Sequence, residues 1–391
     1  MYDIVISGAG PSGSQCAEVL TKAGFKVALI EKDTEWRKPC GGGINYRVLD
    51  FYPQLKKLNL PKIQTILFHS ADYHALDYSV GDRLRGTIMD RLALDNLMRD
   101  VAVDAGAELF NKNFSYDFIT KDQKKIGIKT KSPEGKKEYY GKIIIVADGM
   151  SSKLALRSGL RLKWKVNEIA NGKCAILKGK HYLNLDSIYI YFQSYKGYGW
   201  IFPLDNKRFN IGIYTFAEDN LNCNLEEKYY EFIKNPNIRK LIPNPNYEVI
   251  WTGSYPFPTE GLMEKSLYDD NLMLIGDTAG FVSPISGEGI QTALTSGMAA
   301  AETAIKAFEV EDYSKNTLKQ YKNLPVIKKV NSAFKLKRSM RTFFYANKGE
   351  DFNKLLGLAE KDQEFKNQVI DVFMSRSVPN KEFFSRIKHF I

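Results

Sequence analysis

Three glycines in a fixed spacing constrain this chain more than anything else in it. Tyr2-Asp3-Ile4-Val5-Ile6-Ser7 is an apolar run of strand length, Gly8-Ala9-Gly10-Pro11-Ser12-Gly13 follows, and a helical pattern extends from Gln15 to Ala23. In that context Gly8 makes a tight turn, Gly10 lets the backbone approach a pyrophosphate, and Gly13 lets helix and strand pack closely. The helix N-terminus, with Ser12 in its first turn, then faces the phosphates. Pro11 suits that turn, where a missing N–H costs little. A second apolar run, Val27-Ala28-Leu29-Ile30, ends in Glu31, about 20 residues beyond the glycines, where an acidic ribose ligand belongs. A glycine turn alone is compatible with a purely structural role. Strand, turn, helix, strand and terminal acid in one unit specify a dinucleotide site. An acid at Glu31 favours a free ribose hydroxyl, hence NAD or the ADP half of FAD over NADP.

The chain has 391 residues, enough for two domains or for one domain with a large insertion. No apolar run approaches the roughly 18 residues of a membrane span, and the N-terminus reads as a strand, not a signal peptide. Cys16, Cys40, Cys174 and Cys223 are scattered without a C-x-x-C pair. That argues for a reducing, cytoplasmic setting and against a structural metal. The net charge is +11, and nearly all the excess sits between Tyr313 and Gly349, where ten Lys and Arg residues (Lys315 to Lys348) meet no acid. A solvated helix face, a nucleic-acid patch and an anionic membrane surface compete for this segment. No nucleic-acid module is recognisable, so nucleic acid is not expected as a partner. Val330, Phe334, Met340, Phe343 and Phe344 are interleaved with the basic residues, as in an interfacial helix that docks on a membrane surface.

Further along, Asp90 suits an N-cap for a helix from Arg91 to about Ala105, with Gly106 as its terminator. Tyr73 to Val80 and Leu84 to Met89 read as short strands. Phe114 to Thr120, Lys125 to Lys131 and Lys137 to Tyr140 form a polar β-meander. Lys142 to Ala147 is apolar enough for a buried parallel strand, and Asp148-Gly149 ends it. From Trp164 to Phe257 the alternation changes to that of an antiparallel sheet, as in Ile188 to Phe192 and Phe209 to Tyr214. Asn271 to Asp277 returns to the first domain, the loop Pro284 to Gly289 follows, and a helix of small residues runs through Ala299-Ala300-Ala301. The expected fold class is α/β (α+β overall). A Rossmann-like nucleotide domain with the β-meander occupies residues 1–163 and 265–310. An inserted antiparallel-sheet substrate domain spans 164–264, and a basic helical region 311–391.

Three distant pieces converge on one ligand: the N-terminal fingerprint, Asp148-Gly149, and Gly276-Asp277, each at the carboxyl edge of a strand where such sheets bind nucleotides. NAD needs only the first piece. A late carboxylate followed by a glycine loop and a helix start suits a ribityl chain and flavin ring. Asp277 would accept ribityl hydroxyls, and the N–H groups from Gly287 through Gly289 to Ile290 would face the N1/O2 edge of the ring. For Asp277 by itself the competing reading is a helix cap.

Gly8 to Gly13, Asp148-Gly149 with Ser152, and Gly276-Asp277-Thr278-Ala279-Gly280 resemble the three fingerprints of the flavoprotein-hydroxylase superfamily. Pro39-Cys40-Gly41-Gly42 and Tyr198-Gly199-Trp200-Ile201-Phe202-Pro203 are similar to the P-C-G-G loop and Y-x-W-x-F-P motif of geranylgeranyl reductases, including the archaeal digeranylgeranylglycerophospholipid reductases. The resemblance covers residue 1 to about 305. It implies an FAD-dependent oxidoreductase that saturates C=C bonds of isoprenoid chains, as on glycerol ether phospholipids. It also implies that Cys40, with Gly41, Gly42 and Gly43, lies at the flavin face, where its thiol delivers a proton or shapes the ring's environment; a packing cysteine is the alternative. Arg91, in an R-x-x-F/L-D pattern, is implied to reach the FAD pyrophosphate, against a surface salt bridge with Asp95.

Tyr198, Trp200 and Phe202 alternate along a strand and so share one face, suited to walling an apolar tunnel for a prenyl chain, and Pro203 is expected to end the pairing after the motif. An ordinary core strand is the competing reading. The rival activity is an FAD-dependent monooxygenase acting on an apolar substrate; a halogenase would carry a W-x-W-x-I-P signature, which is missing. A flavin-containing lipid-binding protein without catalysis is the third reading. No second dinucleotide fingerprint marks an electron donor, so NAD(P)H bound transiently and a reduced ferredoxin both remain open, the basic surface suiting an acidic partner.

Overall fold

A computed structural model describes residues 1–71, 75–79, 86–193, 195–218, 224–243, 246–263, 267–345, 350–373 and 380–388. Its first sheet runs in the order Tyr268–Asp269, Leu272–Leu274, Gly135–Val146, Tyr2–Ser7, Val27–Ile30 and Glu108–Phe110. Tyr268–Asp269 pairs antiparallel with Leu272–Leu274, and the remaining pairings in this order are parallel, with Ile6 opposite both Ile145 and Leu29. Ile4, Val5, Ile6, Ile143, Ile144 and Ile145 are fully buried, as expected for a parallel sheet covered on both faces. The helices Pro11–Lys22 and Ile290–Glu309 pack against each other over this sheet.

The meander and the buried strand prove to be continuous. Residues 135 to 140 pair antiparallel with Lys124–Ser132, and from Gly141 onward the same strand pairs parallel with Tyr2–Ser7. Its exposure alternates in the first part and vanishes over Ile143 to Val146. The sequence reads as two elements because the chain moves from a half-solvated sheet to one covered on both sides, which changes the apolar period.

The second sheet has the order Glu248–Pro258, Ile169–Lys178, Arg208–Phe216, Gly197–Pro203, Ser187–Phe192, Thr65–His69 and Ala75–Ser79. It therefore reaches outside residues 164–264: Thr65–His69 adds in parallel to Ser187–Phe192 and carries Ala75–Ser79 on its far side. Thr65–His69 buries only Ile66 and Phe68, too short an alternation to stand out in sequence. Of the two expected strands flanking it, Ala75–Ser79 and Gly86–Ile88 are present, while 72–74 and 80–85 lie outside the described residues. One face of the second sheet packs under the helix Leu225–Lys234 through Tyr191, Ile201, Phe209, Ile211 and Phe232.

The C-terminal helices cover the other face. Leu355, Leu356, Phe365, Val369 and Phe373 join Ile66, Ile190, Trp200 and Tyr214 in one core. The long helix Pro325–Tyr345 links the two cores, with Ile327 and Phe334 in the first and Met340 and Tyr345 in the second. The apolar residues expected to face a membrane are thus directed inward at Val330, Phe334 and Met340; the side chains of Phe343 and Phe344 lie outside the described residues, as do Cys223 and Lys348.

Because Ile145 is fully buried and paired on both sides, Ile145→Ala should cost about 2–5 kcal/mol by cavity formation. Urea denaturation followed by circular dichroism would measure the loss.

Candidate cofactor and substrate site

The carboxyl ends of Tyr2–Ser7, Val27–Ile30, Gly135–Val146 and Leu272–Leu274 open into one cavity of about 540 Å³. Gly8, Gly10, Ser12, Glu31, Asp148 and Asp277 line its polar part. Glu31 is fixed at its strand end: Oε2 accepts from Ala9 N at 2.8 Å and Oε1 from Asp33 N at 3.2 Å. A Cβ on Gly10 would meet nothing within 4 Å, so the backbone there is open to the cavity. A Cβ on Gly13 would lie 1.9 Å from the Gly8 carbonyl oxygen, the close helix–strand approach that the glycine spacing predicts. Asp148 is half-buried, its Oδ1 out of reach of solvent and lacking a hydrogen-bond partner, and desolvation pushes its pKa up to about 6 against the opposing Ser152 hydrogen bond. An open glycine cradle at a helix N-terminus and an unpartnered carboxylate oxygen fit a dinucleotide cofactor. Asp277 is 11% exposed and ion-paired with Lys38, so its carboxylate is directed into the cavity and not used as a helix cap.

The Cys40 loop separates this polar part from an apolar one. Cys40 O accepts from Asn210 Nδ2 at 2.9 Å, and the Cys174 thiol donates to the same oxygen at 3.7 Å. Gly42 N donates to Cys40 Sγ at 3.5 Å. Arg91 opens its helix as expected, with Asp90 Oδ1 capping Leu92 N and Ala93 N. Its salt bridge to Asp95 (3.1 and 3.0 Å) is buried, contrary to the surface pair considered above. Burial works against the Arg91 charge, but Asp95 and then the Cys40 sulfur outweigh it and raise the pKa. Arg91 also lines the cavity, so it stands between the thiol and the polar part.

Beyond Cys40, Tyr198, Trp200 and Phe202 all line the cavity, continued by Ile63, Ile66, Ile188, Ile190 and Phe373. Trp200 Nε1 donates to Asn210 Oδ1 at 2.8 Å, tying the aromatic strand to the residue that holds Cys40. Opposite, the segment Ser283–Gly289 presents Gly287, Glu288 and Gly289 to the cavity, and Ile290 follows at the start of its helix. Two of the segment's carbonyls, those of Ile285 and Ser286, are bound by tyrosines. Tyr198 donates to Ser286 O at 2.7 Å, and the Tyr214 and Tyr345 hydroxyls reach Ile285 O at 2.7 and 2.8 Å.

The cavity therefore gathers Gly8, Gly10, Ser12, Glu31, Cys40, Gly41, Gly43, Arg91, Asp148, Asp277, Gly287, Gly289, Ile290, Tyr198, Trp200 and Phe202. It does not gather four expected residues. Gly13 packs behind the turn, Gly42 (φ +78°) lies under Met89 O, and Gly276 (φ +62°) lies against Ser12 Oγ. These three shape the backbone. Pro203 is buried and still paired with Phe209, so the ladder includes it where it was expected to end, and it does not line the cavity. The reason is the strand period: 198, 200 and 202 face one side, so 201 and 203 face the other. Sequence reading missed Asn210, Cys174, Tyr214 and Tyr345. Asn210 left a trace, an amide inside the apolar run Phe209 to Ile213; nothing local marked the others.

A cradle for a dinucleotide joined to an aromatic-walled apolar chamber defines the class. Residues 1–330 match the FAD binding domain family, and FAD is the cofactor of this oxidoreductase. Digeranylgeranylglycerophospholipid reductase 1 of Methanosphaera stadtmanae is 31% identical over 371 residues, covering 91% of this chain and 88% of that protein. The digeranylgeranylglycerophospholipid reductase of Methanocaldococcus jannaschii is 28% identical, covering 82% and 81%. The chain belongs to the digeranylgeranylglycerophospholipid reductase family. Among solved structures, a geranylgeranyl bacteriochlorophyll reductase-like protein from Thermoplasma acidophilum shares the fold with TM-score 0.81 at 22% identity, covering 100% of this chain and 99% of that one. A flavin-dependent brominase does so with TM-score 0.79 at 19% identity, covering 100% and 98%.

The two glycines separate cofactor contact from folding. Gly10→Ala should leave the melting temperature of flavin-free protein near wild type while sharply lowering FAD retention, because its methyl group enters only the open cradle. Gly13→Ala should destabilise the flavin-free protein itself. Thermal melts and the flavin-to-protein absorbance ratio distinguish them.

Proposed function

We propose that this protein saturates C=C bonds in the geranylgeranyl chains of glycerol ether phospholipids. The observation that carries this reading is the continuity of one cavity from the dinucleotide cradle, past the Cys40 thiol, into a chamber walled by Tyr198, Trp200, Phe202, Ile66, Ile188, Ile190 and Phe373. A chamber walled mainly by aromatic and branched side chains, with the Tyr198 hydroxyl and Trp200 N–H engaged by the protein itself, suits an apolar chain. The names of the relatives point the same way.

FAD, when bound, supplies the hydride. The Gly8 to Gly13 turn and Glu31 would hold the ADP half and Asp148 and Asp277 the middle of the cofactor, and of the Gly287 to Ile290 segment the helix N-terminus at Gly289-Ile290 would meet the ring, since the Gly287 and Glu288 N–H groups are bound to Ser283 O and Ser286 Oγ. The aromatic strand orients the alkene and excludes water. Alkene reduction also takes one proton on the second carbon. Cys40 donates it and afterwards regains a proton from solvent. Electrons enter from NAD(P)H bound transiently or from a reduced ferredoxin.

Membrane contact follows from electrostatics without insertion. Lys315, Lys319, Lys328, Lys329 and Lys335 are exposed, while Phe334 and Met340 are internal. Exposed lysines on an anionic leaflet attract through a screened field.

Anaerobic incubation of reduced enzyme with geranylgeranylated lipid should add hydrogen pairs to the chains, read by mass spectrometry. No increment on any prenyl lipid would remove the reading, and dioxygen consumed in step with product would make the protein an oxygenase. Cys40→Ser should keep FAD and lose turnover by about 10²-fold or more, the usual contribution of a proton donor; wild-type turnover would exclude Cys40. Flotation should show binding to vesicles containing anionic lipid that disappears at high salt, and no binding to neutral vesicles.

A further inference from the structure

The helix Pro325–Tyr345 passes behind the loop that meets the flavin ring, and Lys337, midway along it, is only 2% exposed. A buried ammonium persists only where a counter-charge or hydrogen bonds offset its desolvation. Lys337 shares a helix face with Met340 and Tyr345, which join Ile285 of the loop Ser283–Gly289 in one core, Tyr345 donating to Ile285 O at 2.8 Å, so the buried ammonium lies on the side turned to that loop, where the Glu288 carboxylate favours its charge. Glu288 sits on the cavity wall, its Oε1 accepting from Asn45 Nδ2 at 3.3 Å and its backbone carbonyl accepting from Ser283 N at 2.8 Å. Neighbouring cations on the same helix are directed elsewhere: Arg338 and Arg341 pair with Glu260, Arg341 at 2.9 Å. The phenols around the loop (Tyr198, Tyr214 and Tyr345) are held neutral by burial.

The loop has conflicting electrostatics. The N-terminus of Ile290–Glu309, with Gly289 as its N-cap, offers positive potential to the cavity, while the Gly287 and Glu288 N–H groups are bound within the loop. A carboxylate at Glu288 in the same loop opposes the negative charge that a two-electron-reduced flavin carries. We propose that Lys337 is a positioning residue for the flavin: its ammonium, buried behind the loop Ser283–Gly289, offsets the Glu288 carboxylate and so favours the reduced cofactor. The proposal rests on FAD binding in this cavity and is independent of which substrate is reduced. Burial lowers the Lys337 pKa to about 7, with Glu288 opposing the fall, so the offset fades as pH rises through neutrality.

Two readouts test this without prenyl substrate. In reductive titrations at pH 6.5, Lys337→Met should shift the flavin midpoint potential to more negative values, and Glu288→Gln to more positive values. The double variant should return toward wild type, since the two charges act on each other. The gap between wild type and Lys337→Met should narrow at pH 8.5. Lys337→Arg, which keeps the charge, should hold the wild-type potential. An unmoved potential in flavin-loaded Lys337→Met overturns the proposal; if that variant fails to retain flavin, an unmoved potential in Glu288→Gln overturns it equally. The second readout uses flavin-free protein. Between about pH 7 and the ordinary lysine range the unfolded chain holds a proton that folded Lys337 has lost, so wild-type stability gains a rising component with pH across that window. Lys337→Met should lack that component, and melting curves of the two proteins that run parallel from pH 6 to 10 would also refute the proposal. Failure of either readout leaves prenyl reduction untouched, and failure of the lipid assay leaves these potentials to be measured.

Discussion

The structure depends on the parallel register that aligns Tyr2–Ser7 with the end of Gly135–Val146. Ser7 stands opposite Val146, so the turn at Gly8 lies directly against the turn at Ala147-Asp148. A side chain at Gly8 would place its Cβ 2.4 Å from Ala147 O. With that contact made, Leu274 pairs beside Val146 and brings Gly276-Asp277 to the same edge. Three segments separated by more than a hundred residues thereby share one cavity wall. A slip of one residue would turn the apolar side chains out of the core and move the turns apart.

The second sheet and the C-terminal helices solve a different problem, which is to hold a reactive loop beside an apolar chamber. Asn210 binds both the Cys40 carbonyl and the Trp200 indole, so one amide fixes the thiol loop relative to the aromatic wall. Tyr198, Tyr214 and Tyr345 hold the carbonyls of Ile285 and Ser286, two from the sheet and one from the long helix. Buried polar groups of this kind specify geometry because leaving any one unpaired is costly. The helix Pro325–Tyr345 is consequently part of the site's architecture as well as part of the basic surface.

Much of the site was legible in sequence because its chemistry depends on backbone. The glycine turn, Glu31, Asp148 and Asp277 act at strand ends, and a strand end followed by a helix start is a local pattern. Tyr198, Trp200 and Phe202 were legible as one face through the period of two. The same period places Pro203 on the opposite face, where motif resemblance alone had grouped it with the others. The strand Thr65–His69 was illegible because its place in the second sheet depends on Ser187–Phe192, more than a hundred residues away. Val330, Phe334 and Met340 looked interfacial because composition shows that a helix has an apolar side without showing what covers it.

The sequence by itself determined that this chain makes a dinucleotide-binding parallel sheet, that a second sheet follows, and that Cys40 belongs with a glycine loop. Those features follow from local propensity, alternation and turn chemistry, each set within a few residues. Only the tertiary structure decided that Asn210, Tyr214 and Tyr345 lock the site, that the basic tail caps the second sheet, and that Lys337 lies buried near Glu288. Such contacts arise where elements distant in sequence pack, and burial, which decides whether a lysine is a solvated cation or a counter-charge, is a property of the packed whole.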